Sequence, residues 1–268
     1  MNLKGKTALV TGASSGLGSS FAKQLAAMGA DLVITARRAD RLEKLAAEIA
    51  ARHGVKVAVI TLDLGAPDAA RRLFEKTEGA GIAIDVLVNN AGFACYGAFT
   101  ETPLERIESL IAVDVLALTG LTHLFARAML ARGQGWVLNV ASFAAYMPVP
   151  NYAAYAAAKA YVRNFSEAVA HELRDTGVRV MSLCPGGVAT EFWEVAGQAE
   201  PPAVMKMLMD TPDEVARIGL GALFRGRRNI VAGILNALGA WSTRLGPRRF
   251  VVRIAAALTG TTKALPKP

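Results

Sequence analysis

The sequence predicts an α/β fold: a doubly wound parallel sheet in a single domain, followed by a basic, helical C-terminal extension. Three observations predict it. Short apolar, β-branched runs alternate with stretches of helical periodicity, and this alternation implies parallel strands joined by right-handed crossovers. Several runs are apolar at consecutive positions, as expected of strands covered on both faces. No acidic residue follows Glu214, so residues 215–268 carry a charge of +10 and residues 1–214 carry −2.

The predicted elements follow one another without a linker or an internal repeat. Glycines at positions 29, 54, 133 and 177 each follow a helical stretch, as is typical of helix C-termini. Strands are expected at Thr7–Val10, Asp31–Thr35, Lys56–Leu62, Ile84–Val88, Gly135–Val140, Arg179–Leu183 and Asn229–Ala232. Helices are expected at Leu17–Met28, Ala39–Arg52, Pro67–Glu78, Pro103–Ala131, Tyr152–Asp175 and Pro212–Phe224.

Residues 186–211 break this pattern. They combine glycines and prolines with Phe192, Trp193 and three methionines. Adaptable apolar side chains on a loop of this length predict a lid over an apolar site. The alternative is a surface loop that packs on the body of the domain.

Residues 233–268 form the basic extension, whereas residues 1–232 form the predicted α/β domain. Two short helices are expected, Gly233–Leu245 and Arg248–Leu258, separated by Gly246-Pro247, which stops a helix. Each carries an apolar stripe, and the stripes are expected to pack on the body or on a second subunit. The alternative is an amphipathic anchor in the surface of an anionic membrane. The stripes are Leu235, Leu238, Trp241 and Leu245, and Phe250, Val251, Ile254 and Leu258.

Composition excludes several classes of protein. A hydrophobic fraction of 53% and a mean hydropathy of +0.32 exclude a disordered chain. Two cysteines and three scattered histidines favour neither a disulfide framework nor a metal site. The first residues do not read as a secretory signal, and we expect a cytoplasmic enzyme. The positive charge is confined to the C-terminal end, which disfavours nucleic-acid binding by the domain.

The segment Thr11–Gly18 follows the first predicted strand and opens the first helix. Glycines at 12, 16 and 18 allow backbone N–H groups to approach a pyrophosphate at the positive end of the helix. A turn without a ligand would need fewer glycines. We therefore expect a dinucleotide site formed by Gly12, Ser14, Ser15, Gly16, Leu17 and Gly18.

The second strand ends at Ala36-Arg37-Arg38. NAD-binding sites usually carry an acidic residue near this position to bind the ribose 2′-hydroxyl. A guanidinium instead suits a 2′-phosphate, which a carboxylate would repel. This predicts NADP(H), with NAD(H) the less favoured cofactor.

Ser142, Tyr155 and Lys159 form the candidate catalytic group. Tyr155 and Lys159 are four residues apart in a helical stretch and therefore share one face. A phenol with a pKa near 10 is a poor base at neutral pH, but a nearby ammonium favours its anionic form. Ser142 follows the fifth strand, at the edge where ligands of open α/β sheets bind.

These motifs together resemble the short-chain dehydrogenase/reductase family over residues 4–231. The resemblance implies a Rossmann fold that binds NAD(P)(H), with Tyr155 as general acid/base, Lys159 holding the nicotinamide ribose and Ser142 orienting the substrate oxygen. It also implies homodimers or homotetramers formed through the helices Pro103–Ala131 and Tyr152–Asp175. Further cofactor contacts implied by the matching motifs are Asp63, Leu64, Asn89, Ala91, Gly92, Pro185, Gly186, Val188 and Thr190.

Asp114 departs from the family pattern, which has an asparagine 28 residues before the active serine, supporting a water in a proton relay. Aspartate can accept a hydrogen bond from that water but cannot donate one, and its charge would lie near the Lys159 ammonium. We expect Asp114 to serve a relay of altered pH dependence; the alternative is a weakened enzyme.

The leading functional prediction is an NADP(H)-dependent oxidoreductase acting on a carbonyl or secondary alcohol, on an apolar substrate because several aromatic residues and methionines surround the motifs. A cofactor-binding sensor or scaffold without catalysis is the alternative from another class. An epimerase or dehydratase of related fold is a third interpretation, which the short lid disfavours.

Overall fold

The computed structural model describes residues 1–198 and 209–260. Of the sequence predictions, Met205 and Met207 of the loop and Lys263 and Lys267 of the extension lie outside the described residues. Seven strands form one parallel sheet: β1 Thr7–Thr11, β2 Asp31–Ala36, β3 Val57–Thr61, β4 Val86–Asn89, β5 Gly135–Val140, β6 Val178–Cys184 and β7 Asn229–Val231. Their order is β3-β2-β1-β4-β5-β6-β7. The predicted doubly wound parallel sheet is confirmed.

Helices cover both faces of this sheet. They are α1 Gly16–Ala27, α2 Ala39–His53, α3 Ala69–Glu75, α4 Leu104–Ile111, α5 Leu118–Ala131, α6 Ala153–Glu172, α7 Phe192–Ala196, α8 Pro212–Phe224, α9 Ile234–Ser242 and α10 Arg248–Leu258. Short 3₁₀ turns occur at Glu78–Ala80 and Phe143–Tyr146. The helix expected at Pro67–Glu78 is shorter, because Asp68 adopts a left-handed conformation (φ 55°) and Lys76 ends the helix.

Two apolar layers, one on each face of the sheet, bury most of the five inner strands, whereas the edge strands β3 and β7 are only partly buried. On one face Phe21 and Leu25 of α1 and Leu220 of α8 pack against the sheet, together with α2. On the other face Leu121 and Phe125 of α5 do so, together with α3 and α6. Strands enclosed in this way have no solvent face, which accounts for their continuous apolar runs.

The long central helix differs from the predicted single α-helix. Between α4 and α5 the chain forms a π-helical segment, Ala112–Ala117, that contains Asp114. Such segments occur mostly as single turns and often at functional sites. Leu104–Ala131 is also, among the described residues, the helix whose length and composition would allow it to cross a membrane. Its α5 part contributes to the core under the sheet.

The C-terminal helices form close to the predicted positions, but the first stripe does not pack on the body of this chain, and its predicted packing on a second subunit stays a prediction. Leu238, Trp241 and Leu245 are 57–68% exposed, and Leu235 is exposed as well. Of the large side chains in the second stripe, Phe250, Ile254 and Leu258 are also exposed. The buried residues of these two helices are instead small, Ala240 and Ala255.

Candidate active site

A cavity of about 610 Å³ lies at the carboxyl edge of the sheet, beside the point where strand order reverses between β1 and β4. Ligands of open α/β sheets bind in this crevice, and the volume is in the usual range for small-molecule sites. Four segments that the sequence singled out meet at its wall: the glycine turn after β1, the arginines after β2, the segment after β5 and the segment after β6.

The glycine turn is shaped by close backbone contacts. Gly12 and Gly16 have positive φ angles, 66° and 51°. A Cβ on Gly12 would lie 2.8 Å from Ala91 Cα, and one on Gly18 would lie 2.2 Å from the carbonyl oxygen of Gly12. The N-cap of α1, Ser15, makes no side-chain capping bond, and no acidic residue occupies the first turn. The N-terminus of α1 therefore has the free N–H groups and positive dipole that bind anions.

The arginine after β2 lies beside this turn. Arg38 donates to Ser14 Oγ (3.1 Å) and to Ser15 Oγ (2.8 Å), and its other terminal nitrogen is 3.0 Å from a carboxylate oxygen of Glu191. Arg41 binds the second oxygen of Glu191 at 2.7 Å. Hydrogen bonds from Arg41 and then Arg38 lower the pKa of Glu191. Arg37 and Arg38 both line the cavity.

Asp63 and Leu64, two of the cofactor contacts that the resemblance implies, line the cavity together with Leu62 and Val113. Asp63 Oδ1 accepts a hydrogen bond of 2.9 Å from the Gly65 N–H, which holds the turn after β3.

Asn89 does not line the cavity. It is buried, and its Nδ2 donates to Thr122 Oγ1 (3.1 Å) and Asn139 Oδ1 (2.9 Å), so it links β4 to α5 and β5. Its neighbour Asn90 does line the cavity, and its side-chain amide donates to the carbonyl oxygen of Thr11 (2.9 Å). The resemblance placed Asn89 among the cofactor residues as a brace of the sheet; it does brace the sheet, but Asn90 is the residue that reaches the cavity. The strand register explains the difference, because consecutive residues at a strand end point in opposite directions.

The segment after β6 forms the opposite wall. Pro185, Gly186, Val188 and Thr190 line the cavity. Thr190 packs against the glycine turn so closely that a Cβ on Gly16 would lie 2.8 Å from its methyl group. The loop is tied at its base, where Asp210 N donates to the Gly187 carbonyl (3.0 Å). The first part of the loop, through α7, lines the cavity.

Ser142, Tyr155 and Lys159 converge at the foot of the cavity. Ser142 N-caps the 3₁₀ turn: its Oγ accepts from the Ala144 N–H (3.1 Å), so its own hydroxyl proton remains available to donate. Tyr155 and Lys159 are buried on one face of α6. Burial raises the pKa of Tyr155, while the Lys159 charge and a hydrogen bond from Ser142 act in the opposite direction.

Asp114 contacts this group through Lys159 and does not itself line the cavity. Its Oδ1 is 2.7 Å from Lys159 Nζ, and its Oδ2 accepts from the Phe93 N–H (3.1 Å). Lys159 also donates to the Val140 carbonyl (3.0 Å). Burial acts to lower the pKa of Lys159, but the neighbouring Asp114 charge and Tyr155 outweigh it, so the pKa is raised. Lys159 is thus held as an ammonium ion.

The carboxylate of Asp114 also explains the glycine at position 92. A Cβ there would lie 2.6 Å from Asp114 Oδ1. Burial raises the pKa of Asp114 and Lys159 opposes this shift. The charge near Lys159 that the sequence predicted is therefore a direct, buried ion pair.

The remaining wall is apolar. Sequence reasoning had pointed to Phe143, Met147 and the loop that carries Phe192 and Trp193, but not to Val149, Tyr152 or the C-terminal helices. Phe143, Met147, Val149, Tyr152, Phe192 and Trp193 surround the space in front of Tyr155. The C-terminal helices add Leu235, Asn236, Gly239, Ala255 and Leu258. The small residues Gly239 and Ala255 could have indicated these contacts from the sequence, because small residues in a helix often mark a close approach to a neighbouring element. A Cβ on Gly239 would be 3.2 Å from the Phe143 ring.

Comparisons with known proteins agree with this geometry. The chain is 36% identical over 184 residues to a very-long-chain 3-oxoacyl-CoA reductase from Pyrenophora tritici-repentis, covering 67% of this chain and 54% of that protein. It is 34% identical over 219 residues to a 7beta-hydroxysteroid dehydrogenase from Collinsella aerofaciens, covering 80% and 82%. The chain spans 54% to 67% of the length of three fungal relatives that it matches.

Solved structures and family models give the same result. A short-chain dehydrogenase from Sphingobium yanoikuyae, in complex with NADPH, superposes with a TM-score of 0.79 at 31% identity, covering 90% of this chain and 94% of that one. The family model described as short chain dehydrogenase matches residues 6–201. Its match includes the glycine turn, Ser142, Tyr155 and Lys159, and the chain belongs to the short-chain dehydrogenase family.

Proposed function

We propose that this protein is an NADP(H)-dependent oxidoreductase that transfers a hydride between the nicotinamide and a carbonyl or secondary alcohol of an apolar substrate. One observation carries the proposal: a single cavity joins an anion-binding helix N-terminus at one end to the buried group of Ser142, Tyr155 and Lys159 at the other.

The cavity fits a nicotinamide dinucleotide. Positive φ angles at Gly12 and Gly16 and the uncapped start of α1 suit the pyrophosphate. Ala91 and Gly92 line the wall between that turn and Tyr155, where the nicotinamide ribose would lie. The relative from Sphingobium yanoikuyae binds NADPH, which supports the same class of cofactor here.

Arg38 supports a preference for the 2′-phosphate. It is held by two serines of the glycine turn, and Arg37 lines the cavity beside it. Among the residues described after β2, Asp40 is the first acid, and it is exposed in the first turn of α2.

Changing Arg37 to Asp and Arg38 to Gln should weaken NADPH binding by about one to two decades, because a charge-assisted contact is worth about 1.5–3 kcal/mol. Titration should show NADH binding spared; a wild-type protein that prefers NADH would refute the preference.

The chemistry of the site follows from three side chains. A bound nicotinamide supplies the hydride in reduction or accepts it in oxidation. The Ser142 hydroxyl donates to the substrate oxygen and orients it. Tyr155 gives its proton to that oxygen during reduction and takes it back during oxidation. The Lys159 ammonium, held by Asp114 and the Val140 carbonyl, favours the phenolate form of Tyr155 and so opposes the effect of burial.

An apolar substrate is supported by the wall in front of Tyr155. Aromatic and aliphatic side chains from four elements line it, including Phe143, Phe192 and Leu258. The names of two relatives specify a hydroxysteroid and a very-long-chain acyl substrate, both apolar. We propose the same broad class for this chain.

Replacement of Tyr155 by Phe tests the mechanism. The ring stays in place and the transferable proton is lost, so turnover should fall by at least about 10² while NADPH binding persists. Tyr152→Phe is the matched control, because that ring also lines the wall, 6.2 Å from the Tyr155 ring, and its hydroxyl bonds Gln198 instead. Carbonyl-dependent oxidation of NADPH measures the turnover of the two variants. Ordinary activity in Tyr155→Phe would exclude it as the acid/base.

The chain is also proposed to form a homodimer or homotetramer. Leu116 of the π-helical segment is 66% exposed, and Tyr161 and Leu130 expose apolar surface on α6 and α5. Thr119 Oγ1 and the Tyr161 hydroxyl lie 3.0 Å apart, which aligns the two helices. The cytoplasmic location expected from the sequence stays a prediction.

A further inference from the structure

The helices α9 and α10 present their large apolar side chains outwards. Ile234, Leu238, Trp241 and Leu245 are exposed along α9 and the turn that follows it, and Phe250 and Ile254 along α10. Isolated exposed apolar residues are ordinary, but a contiguous group of this kind on a folded domain marks an interaction surface. We call α9, α10 and the turn between them the C-terminal surface.

The domain does not need these side chains for its own packing. The helices meet the body through small residues and polar contacts: Ala240 and Ala255 are buried, and Gly239 lies against Phe143. The Tyr96 hydroxyl donates to the Thr259 carbonyl at 3.2 Å. An amphipathic helix of a soluble domain normally buries its large residues and exposes its small ones. Here the arrangement is reversed.

The charged residues within α9, α10 and the turn between them are all positive, and the acids Asp210 and Glu214 adjoin only the start of α9. Arg244, Arg248, Arg249 and Arg253 are exposed, and within residues 1–198 and 209–260 none of them forms an ion pair with a carboxylate. No acidic residue occurs after Glu214 in the sequence. A second copy of this surface is a poor partner, since a two-fold contact would bring four arginines towards four arginines without a counter-charge. A bilayer containing anionic lipid satisfies both the charge and the apolar side chains.

We infer that the C-terminal surface lies in the interface of an anionic lipid bilayer and that the substrate passes from the bilayer into the cavity between α9 and α10. The route of the substrate is inferred from Leu235 and Leu258, because these two residues line the cavity and are also exposed on the C-terminal surface. The route of the substrate rests on the proposed function, whereas the membrane contact does not.

Vesicle co-sedimentation of the full chain tests the contact. Binding should be strong to phosphatidylcholine vesicles containing phosphatidylserine and weak to phosphatidylcholine alone, and added salt should reduce it. The triple variant Arg248→Gln, Arg249→Gln, Arg253→Gln should bind anionic vesicles about 100-fold more weakly, since each arginine near such a surface is worth about 1 kcal/mol. The matched control carries Arg52→Gln, Arg71→Gln and Arg127→Gln, three exposed arginines elsewhere, and should bind as the wild type does.

Two further outcomes would overturn the membrane contact. One is equal binding to neutral and anionic vesicles, or no binding at all. The other concerns a variant with Leu238→Gln and Leu245→Gln. If this variant keeps its vesicle binding but light scattering shows that its oligomer has dissociated, the surface is a contact with a second copy of the chain.

The route of the substrate has its own measurement. With a long-chain ketone dissolved in anionic vesicles, the triple arginine variant should lose turnover in parallel with its binding. With a short water-soluble ketone its rate should match the wild type. An equal loss with both ketones would refute the route. Vesicle binding without turnover of any carbonyl would refute the proposed function and leave the membrane contact standing.

Discussion

At the scale of single residues, Asp114 is the feature that sets this site apart from the pattern the sequence resembles. Its carboxylate pairs directly with Lys159 at 2.7 Å inside the protein. The negative charge raises the pKa of Tyr155 as well as that of Lys159. Asp114 touches neither the cavity nor Tyr155 directly, so it acts as a positioning residue through Lys159.

Asp114→Asn should therefore move the pH–rate profile of alcohol oxidation. Removing the charge takes away one influence that raises the pKa of Tyr155, so the phenolate forms at lower pH and the rising limb shifts to lower pH. The pKa of Lys159 falls too, and the falling limb shifts in the same direction. The profile of kcat against pH measures this, and an unchanged profile would show that the carboxylate has only a structural role.

Asp114→Leu should be much worse than the asparagine variant. Both variants remove the counter-ion of the buried Lys159, but asparagine keeps an oxygen that can accept from the ammonium, whereas leucine leaves only the Val140 carbonyl. Breaking a buried pair from one side costs about 3–5 kcal/mol. Denaturant unfolding should show that loss, and turnover should fall with it. Wild-type stability of the leucine variant would contradict the ion pair.

Glu191 is a second residue with a specific expectation, because it competes for the arginine assigned to the 2′-phosphate. Its carboxylate lies 3.0 Å from Arg38 and 2.7 Å from Arg41. These side chains are partly exposed, so the pair is worth at most about 1 kcal/mol. Glu191→Gln should tighten NADPH binding about two- to fivefold and leave NADH binding unchanged. Glu194→Gln, an exposed neighbour on α7, is the control; equal effects of the two variants would exclude the competition.

At the scale of elements, the junction between β1 and α1 depends on contacts that only glycine permits. Gly18 is buried in the first turn of α1, and a Cβ there would lie 2.2 Å from the backbone oxygen of Gly12. A backbone atom cannot move aside as a side chain can. The turn that approaches the cofactor and the helix that follows it are therefore one rigid unit.

Gly18→Ala should lower the free energy of unfolding by about 1–3 kcal/mol through overpacking and should weaken NADPH binding. Gly221→Ala is the matched helical control: its nearest neighbour is the flexible Arg225 guanidinium at 3.6 Å. Alanine there should stabilise the protein by about 0.5–1 kcal/mol, since glycine is a poor helix former. Calorimetry and cofactor titration of both variants give the comparison, and tolerance of Gly18→Ala would contradict the close approach.

At the scale of the whole molecule, the domain carries two separate apolar surfaces. One lies on α5, α6 and the π-helical segment, and the other is the C-terminal surface. If the first surface joins subunits and the second contacts lipid, one charged substitution on either surface should disrupt the function of that surface and leave the other function intact. Leu116→Arg should reduce the molar mass in light scattering to that of a monomer and keep vesicle binding. Leu238→Arg should keep the oligomer; a monomer from this variant would reverse the assignment.

The alternation of strands and helices could be predicted because the inner strands are enclosed on both faces and so have continuous apolar runs. The positions of Ser142, Tyr155 and Lys159 followed from a short helical spacing and from the end of a strand, which are local properties. The ends of elements were predicted less well. The π-helical segment was not predicted, because its extra residue per turn depends on what packs against it.

By itself the sequence determined the fold class, the family resemblance, the residues of the glycine turn and the excess of positive charge after Glu214. Only the tertiary structure decided that Glu191 meets Arg38 and that the small residues of α9 and α10 meet the cavity wall, and only it showed that the predicted proximity of Asp114 and Lys159 is a direct ion pair. It also decided that the apolar stripe of α9 faces outwards. Periodicity shows that a helix has an apolar face, but the direction of that face depends on what the rest of the chain leaves for it to pack against.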